Sequence, residues 1–253
     1  MKKIFVTTFN KILFDKFAKN LIKSFIETNQ QLPLYCYVED DVKLYPKYNN
    51  VFFINLFEAQ PENKNFFIRN RNKYANYIQK NYLFDAVRFS YKVFAQSDSR
   101  KYGDHIFFID ADTFFLKQIP DSWFNVCLPN SVFISLYERL GYYTEAGFLA
   151  FNNDLTDLNG IKLSEHFFKL YTSYYINDLI YALPAFTDCH ALDATRYRFK
   201  FFHKIILEYN SYLENLLGER ALYDSTKDLD IMKADNFINQ YIVHEKGERK
   251  YKT

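Results

Sequence analysis

His105-Ile106-Phe107-Phe108-Ile109-Asp110-Ala111-Asp112 decides how this chain is read. Five residues ending in an apolar run have the length of a buried strand, and two carboxylates spaced i and i+2 follow at once. In extended backbone that spacing points both side chains to one face. Two acids held together repel unless a cation lies between them or one takes up a proton. A solvated turn is the plain alternative, since Asp is common in turns. Thr113-Phe114-Phe115-Leu116 turns apolar again, however, so the pair sits between two buried segments and favours a metal site.

Working outward, Ile4 to Val6 reads as a first strand, and a helix from about Phe14 to Thr28 carries Phe14, Phe17, Leu21 and Phe25 as its inner stripe. Leu34 to Val38 and Val51 to Ile54 read as the next strands, with Glu39, Asp40 and Asp41 at the carboxyl end of the former. Strands alternating with helices in this way argue for an α/β sheet with parallel pairs, in which ligands collect at the carboxyl ends of strands. Asp110 and Asp112 lie at such an end. A long helix is expected from Lys73 to Gln96, with Leu83, Val87, Tyr91 and Phe94 buried and Asp85, Arg88 and Lys92 on another face. That second face is either a surface ion pair or a cationic stripe facing a diphosphate. Val132 to Leu136 and Phe148 to Phe151 read as further strands. Gly147, at the start of the latter, suggests a close approach of backbone or ligand. Leu163 to Tyr175 reads as an amphipathic helix.

Composition narrows the classes. The 253 residues can bury a large core, and with no Pro/Gly/Ser-rich linker they read as one domain over 1–253. A net charge of +2 gives no reason to expect a nucleic-acid partner. Cys36, Cys127 and Cys189 are odd in number and form no Cys-x-x-Cys pair, so a reducing, cytoplasmic setting is expected. No run approaches the roughly 20 apolar residues that span a bilayer, so any membrane association would be peripheral. Oligomeric state is left open.

Near the C-terminus, His244-Glu245-Lys246-Gly247-Glu248-Arg249-Lys250 reads either as a basic chain end or as a third ligand with a phosphate-binding tail. Taken together, Asp110-Ala111-Asp112 after an apolar strand, a later Glu145-Ala146-Gly147 and a terminal His-x-x-Gly-x-x-Lys resemble the GT-A glycosyltransferases, in the branch similar to the family-8 galactosyl- and glucosyltransferases. The resemblance runs in the family's order over essentially the whole chain. It implies a GT-A, Rossmann-like mixed sheet flanked by helices, with a metal- and phosphate-binding tail at 237–253. Asp110, Asp112 and His244 would hold Mn²⁺ or Mg²⁺ with the diphosphate of a nucleotide-sugar donor, expected to be UDP-linked. Gly247 and Lys250 would contact the phosphates, and Thr7 and Thr8 the base. Arg88, Lys92, Ala111, Glu145, Ala146 and Gly147 would lie along the donor. Glu145 departs from the family's Asn, and Asp188-Cys189 from its Asp-Gln. The terminal Pro-Trp is replaced by Tyr251-Lys252. Asp188 would serve as base for the acceptor hydroxyl, or would orient the acceptor or steady the oxocarbenium; its plain alternative is a helix cap. The implied acceptor is a glycan, oligosaccharide or glycolipid.

Three rival readings remain. Asp110-Ala111-Asp112-Thr113 also fits the signature of haloacid-dehalogenase-type phosphatases, with Asp110 as nucleophile, although that signature usually lies on the first strand. A non-catalytic nucleotide-sugar-binding module and a nucleotidyltransferase are the others.

Overall fold

Strand β1 (Lys3–Phe9) is the hub of the sheet. On one side it pairs parallel with β2 (Leu34–Val38), which pairs parallel with β3 (Val51–Asn55). On the other side it pairs parallel with β4 (His105–Ile109). The chain therefore runs outward through β2 and β3, then returns across β1 to begin the second half. This reversal makes the carboxyl ends of β1 and β4 a topological switch point, where α/β sheets open a ligand crevice. The computed structural model describes residues 1–73, 81–137, 139–140, 143–157, 159–202, 223–224 and 240–244.

After β4 come a short strand β5 (Thr113–Phe115), then β6 (Ile134–Tyr137), β7 (Arg139–Leu140) and β8 (Glu145–Asn152). Strand β8 joins the sheet antiparallel to β4, and β6 antiparallel to β8, so the order is β3-β2-β1-β4-β8-β6. The sheet is mixed, as expected. β7 pairs with β9 (Tyr223–Asp224), and β5 pairs antiparallel with β10 (Ile242–His244).

Helices cover both faces. On one, α1 (Lys11–Leu13) runs through a π-helical turn, Phe14–Ala18, into α2 (Lys19–Glu27), and α6 (Asp121–Cys127) packs beside it. The other face carries α3 (Leu56–Ala59), α4 (Pro61–Asn70), α5 (Ala86–Ser99), α7 (Leu163–Ile176) and α8 (Asp188–Phe202). Much of the aromatic content is core. Phe5, Phe107, Trp123 and Phe124 interlock under α2 and α6, while Phe66, Phe94, Tyr171 and Tyr175 fill the opposite layer.

Several expectations are corrected here. The first helix starts at Lys11, where the Asn10 side chain accepts the Leu13 N–H, and its π turn shifts the inner stripe. Phe14, Ala18, Leu21, Ile22 and Phe25 are buried, whereas Phe17 is only half-buried. The expected helix from Lys73 to Gln96 is not continuous among the described residues. Asn81 accepts the Leu83 N–H at a 3₁₀ turn, and Asp85 accepts the Arg88 N–H to open a new helix at Ala86. Short polar side chains that bond nearby backbone in this way start helices rather than continue them. Residues 74–80 lie outside the described set. Asp85 thus meets Arg88 as a cap on its backbone. Strand β6 starts two residues later than read, and β8 starts three residues earlier, so Gly147 lies within the strand.

Candidate metal and nucleotide site

The register of the β5–β10 ribbon builds the site. Ile242 pairs with Phe115, Val243 with Phe114 and His244 with Thr113, and Leu116 N donates to Tyr241 O at 2.8 Å. The ribbon is fastened to α2, because Phe115 N donates to Ser24 Oγ and Ile119 N donates to the buried Gln30 side chain. Thr113 follows Asp112 directly, so this register delivers a residue more than a hundred positions distant to the acids. His244 Nε2 lies 3.0 Å from Asp112 Oδ1 and 3.5 Å from Asp110 Oδ2. One ligand atom from each of the three residues falls within 4.8 Å of the others.

Gly147 explains how the imidazole fits. A Cβ there would stand 2.7 Å from His244 Cε1 and 3.1 Å from Asp110 Oδ2. The sequence suggested a close approach of backbone or ligand at Gly147; the group that approaches is instead a side chain, the His244 ring. Asp110 N donates to Gly147 O at 3.0 Å, locking the acid's backbone to β8. Glu145 folds back so that its Oε1 accepts the Gly147 N–H at 3.0 Å, and Ala146 is buried between them.

Lys92 completes the charge arrangement. Tyr37 donates to Asp98 at 2.9 Å and Gln60 donates to the same carboxylate at 2.7 Å, which pins α5 against β2 and the α3–α4 junction. Six residues earlier on the same helix, Lys92 Nζ lies 2.5 Å from Asp110 Oδ1 and 3.5 Å from Asp188 Oδ2. Burial works against the Lys92 ammonium, but Asp110 and Asp188 outweigh it, so Lys92 is held well above the ordinary lysine range. Burial also lifts the Asp110 carboxyl above its usual range, against the pull of Lys92 and His244. Asp112 goes the other way: burial would raise it, but the His244 hydrogen bond and charge hold it low. Two carboxylates act on one ammonium, so Lys92 stays charged while Asp110 is the partner left under-compensated.

Asp188 is the first residue of α8 and is 1% exposed. The cap is its neighbour instead: Thr187 Oγ1 accepts the His190 N–H at 3.2 Å. Asp188 is thereby released to face Lys92. Thr7 and Thr8 lie near the end of β1 on opposite faces, Thr8 on the side of Val6 and Thr7 on that of Phe5 and Phe9, and among the described residues neither buried hydroxyl has a hydrogen-bond partner. Arg88 is exposed near the start of α5, where its charge acts on Glu39. Gly247 and Lys250 lie outside the described residues.

The donor set, two carboxylates and an imidazole, could hold a divalent cation, and the missing Cβ at Gly147 leaves space for the imidazole beside the acids.

No protein-family model matches the chain, and no curated protein matches its sequence. Among solved structures, the apo form of mouse xyloside xylosyltransferase 1 is similar in fold, with a TM-score of 0.47 and 12% identity over 81% of this chain and 83% of that one. Identity that low leaves the activity to be argued from this chain's own residues.

Proposed function

We propose that this chain, as one GT-A-type domain, transfers a sugar from a nucleotide-diphosphate sugar, with UDP as the expected nucleotide, to a hydroxyl of a glycan, oligosaccharide or glycolipid. The observation that carries the reading is the convergence of Asp110, Asp112 and His244 at the carboxyl end of β4, with Lys92 and Asp188 adjoining.

In the reaction the bond between the sugar C1 and the diphosphate oxygen breaks with its electron pair leaving on the diphosphate. A new bond forms from C1 to the acceptor oxygen, which gives up its proton. Negative charge therefore grows on the leaving group while the sugar becomes cation-like. Asp110, Asp112 and His244 would hold the divalent cation, which when bound supplies positive charge to the departing diphosphate. Lys92 fixes the rotamers of Asp110 and Asp188, so the site is organised before the donor arrives. Asp188 is buried, with an ammonium 3.5 Å away, which suits a fixed negative charge beside the sugar better than a proton acceptor for the hydroxyl. Its role here is to steady the oxocarbenium. Thr8 offers its hydroxyl to the nucleoside, Thr7 remains assigned to it from the sequence pattern alone, and Gly147 keeps the floor of the crevice low. Gly247 and Lys250 remain assigned to the phosphates from the sequence pattern.

Turnover of UDP-sugars with Mn²⁺ and sugar acceptors, followed by nucleotide release, tests the proposal. Asp110→Asn and Asp112→Asn are each expected to lower it about a thousandfold. Unchanged turnover in both would sink the reading.

A further inference from the structure

Three exposed aliphatic side chains gather at the edge of the sheet that carries the acids. β1, β2 and β4 run parallel, so their carboxyl ends share that edge. Past the end of β1, Ile12 in α1 is 67% exposed. Past the end of β2, a 3₁₀ turn, Val42–Leu44, leaves Val42 36% and Leu44 53% exposed. Side chains of a 3₁₀ turn leave its axis about 120° apart, yet Val42, Lys43 and Leu44 are all exposed. The turn therefore stands clear of the surface instead of lying along it.

The two segments are fastened to each other from beneath. Lys11 N and Tyr45 Oη both donate to Asp40 Oδ2, at 2.5 and 2.9 Å, and Asn55 Nδ2 donates to Asp40 O at 3.0 Å. The buried Tyr45 ring meets Phe14 edge-on at 5.2 Å and stacks on Phe53 at 5.0 Å. With Phe14 and Tyr45 turned into the core, Ile12, Val42 and Leu44 face outward from a fixed base. Single exposed aliphatics are ordinary, but three on two adjoining segments beside a candidate site form a contact patch.

Charge says what the patch fits. Lys43 stands between Val42 and Leu44, Lys47 follows in the same loop, and both are exposed. Among the described residues neither forms an ion pair. The nearby acids are engaged: Asp15 meets Lys11 Nζ at 2.6 Å, Asp40 holds the donors above, and Asp41 Oδ1 accepts the Lys43 N–H at 2.9 Å. Aliphatic tips beside ammonium groups suit the boundary of an anionic bilayer, where the methyls enter the acyl region and the lysines stay with the phosphates. A second copy seated on the same patch would bring like charges face to face.

We infer that this edge of the sheet docks on an anionic membrane surface through Ile12, Val42 and Leu44, with Lys43 and Lys47 on the lipid phosphates. For the acceptor this rests on the sugar-transfer reading above, which it narrows to a lipid-linked sugar. Neighbouring strands lie about 4.8 Å apart, so the end of β2 is roughly 10 Å across the sheet from that of β4. An acceptor head group held in the bilayer thus enters the crevice from the side on which the chain is anchored.

Co-sedimentation with vesicles of phosphatidylcholine alone, and of phosphatidylcholine mixed with phosphatidylglycerol, tests the docking. It is run on the full chain, on the triple variant Ile12→Ser, Val42→Ser, Leu44→Ser, and on the double variant Lys43→Glu, Lys47→Glu. Circular dichroism checks that each is folded, and sedimentation velocity without lipid reports association between copies. The unaltered chain is expected to bind the anionic vesicles at least about tenfold more tightly than the neutral ones. Each variant should lose about tenfold or more of that binding while keeping its turnover of a water-soluble sugar acceptor. Equal binding to the two vesicles, no binding to either, or full binding by either variant would overturn the inference. So would a dimer in lipid-free solution that the serine variant dissolves. Those outcomes leave the sugar-transfer reading standing; it fails instead if no donor is turned over on any acceptor, soluble or lipid-linked.

Discussion

Two carboxylate sites stand at the ends of neighbouring strands in the same sheet, and they are compensated in opposite ways. At the end of β4, Asp110 and Asp112 meet an ammonium and an imidazole delivered by α5 and β10. Across β1, at the end of β2, Glu39 has one long contact from Asn10 and a distant guanidinium. The first site has an ammonium and an imidazole in place before any ligand arrives, although Asp110 is still short of full compensation. The second is left with an unmet acceptor, the condition expected where a ligand rather than a side chain supplies the donor. A preorganised charge site suits the developing charge of a leaving group, whereas an unsatisfied acceptor keeps a desolvation cost that the fold itself does not relieve.

Breaking the compensated site should have the larger effect. Lys92→Met leaves Asp110 and Asp188 facing each other without a cation, and removing one partner of a buried pair costs about 3 kcal/mol. Lys92 is 22% exposed, so the loss should fall at or below that figure. Urea unfolding of the two proteins measures it, and added Mn²⁺ should recover part of the loss by replacing the missing positive charge.

Glu39→Gln sharpens the contrast, because it should stabilise rather than weaken the free protein. Burial pushes the folded-state carboxyl up to about 7, above the ordinary carboxylate range. A raised carboxyl contributes stability that is fully present below the unfolded-state value and is lost as pH rises through 7. The variant has no such loss, so it should be more stable than the unaltered chain by on the order of 2 kcal/mol at pH 8 and nearly equal to it at pH 4. Unfolding curves at those two values decide the point.

The smallest effect on stability comes from Gly147→Ala. Its Cβ meets the rim of the His244 ring, which can swing aside, so a loss of about 1 kcal/mol is expected. Mn²⁺ affinity should nevertheless fall about tenfold, since the ring is displaced from the acids. A thermal scan read beside a metal titration separates the two quantities.

How much of this was legible in the sequence follows from the range of the interactions involved. Strands β2 and β4 were read at their observed bounds because continuous apolar runs report burial directly. The break at Asp85 was not anticipated, since apolar spacing looks continuous across a residue whose side chain caps its own backbone. The π turn escaped for a similar reason: one inserted residue shifts the stripe without changing composition. Asp110, Asp112 and His244 could be grouped only through the resemblance to the GT-A pattern, because nothing local to residue 244 announces its pairing with Thr113. Gly147 could be singled out by its rarity, but what approaches it could not. Glu39 had its signal, an acid at a strand's carboxyl end, yet its lack of donors is a three-dimensional property that no window of residues contains.

The central claim is that the middle acids and the late histidine hold one divalent ion between them. Electron paramagnetic resonance of Mn²⁺, titrated into the intact protein and into His244→Ala, tests it directly. One tight Mn²⁺ per chain is expected in the former, with at least a tenfold weaker site in the latter and none in the Asp110→Asn, Asp112→Asn double variant. The same Mn²⁺ affinity in all three proteins would contradict the account.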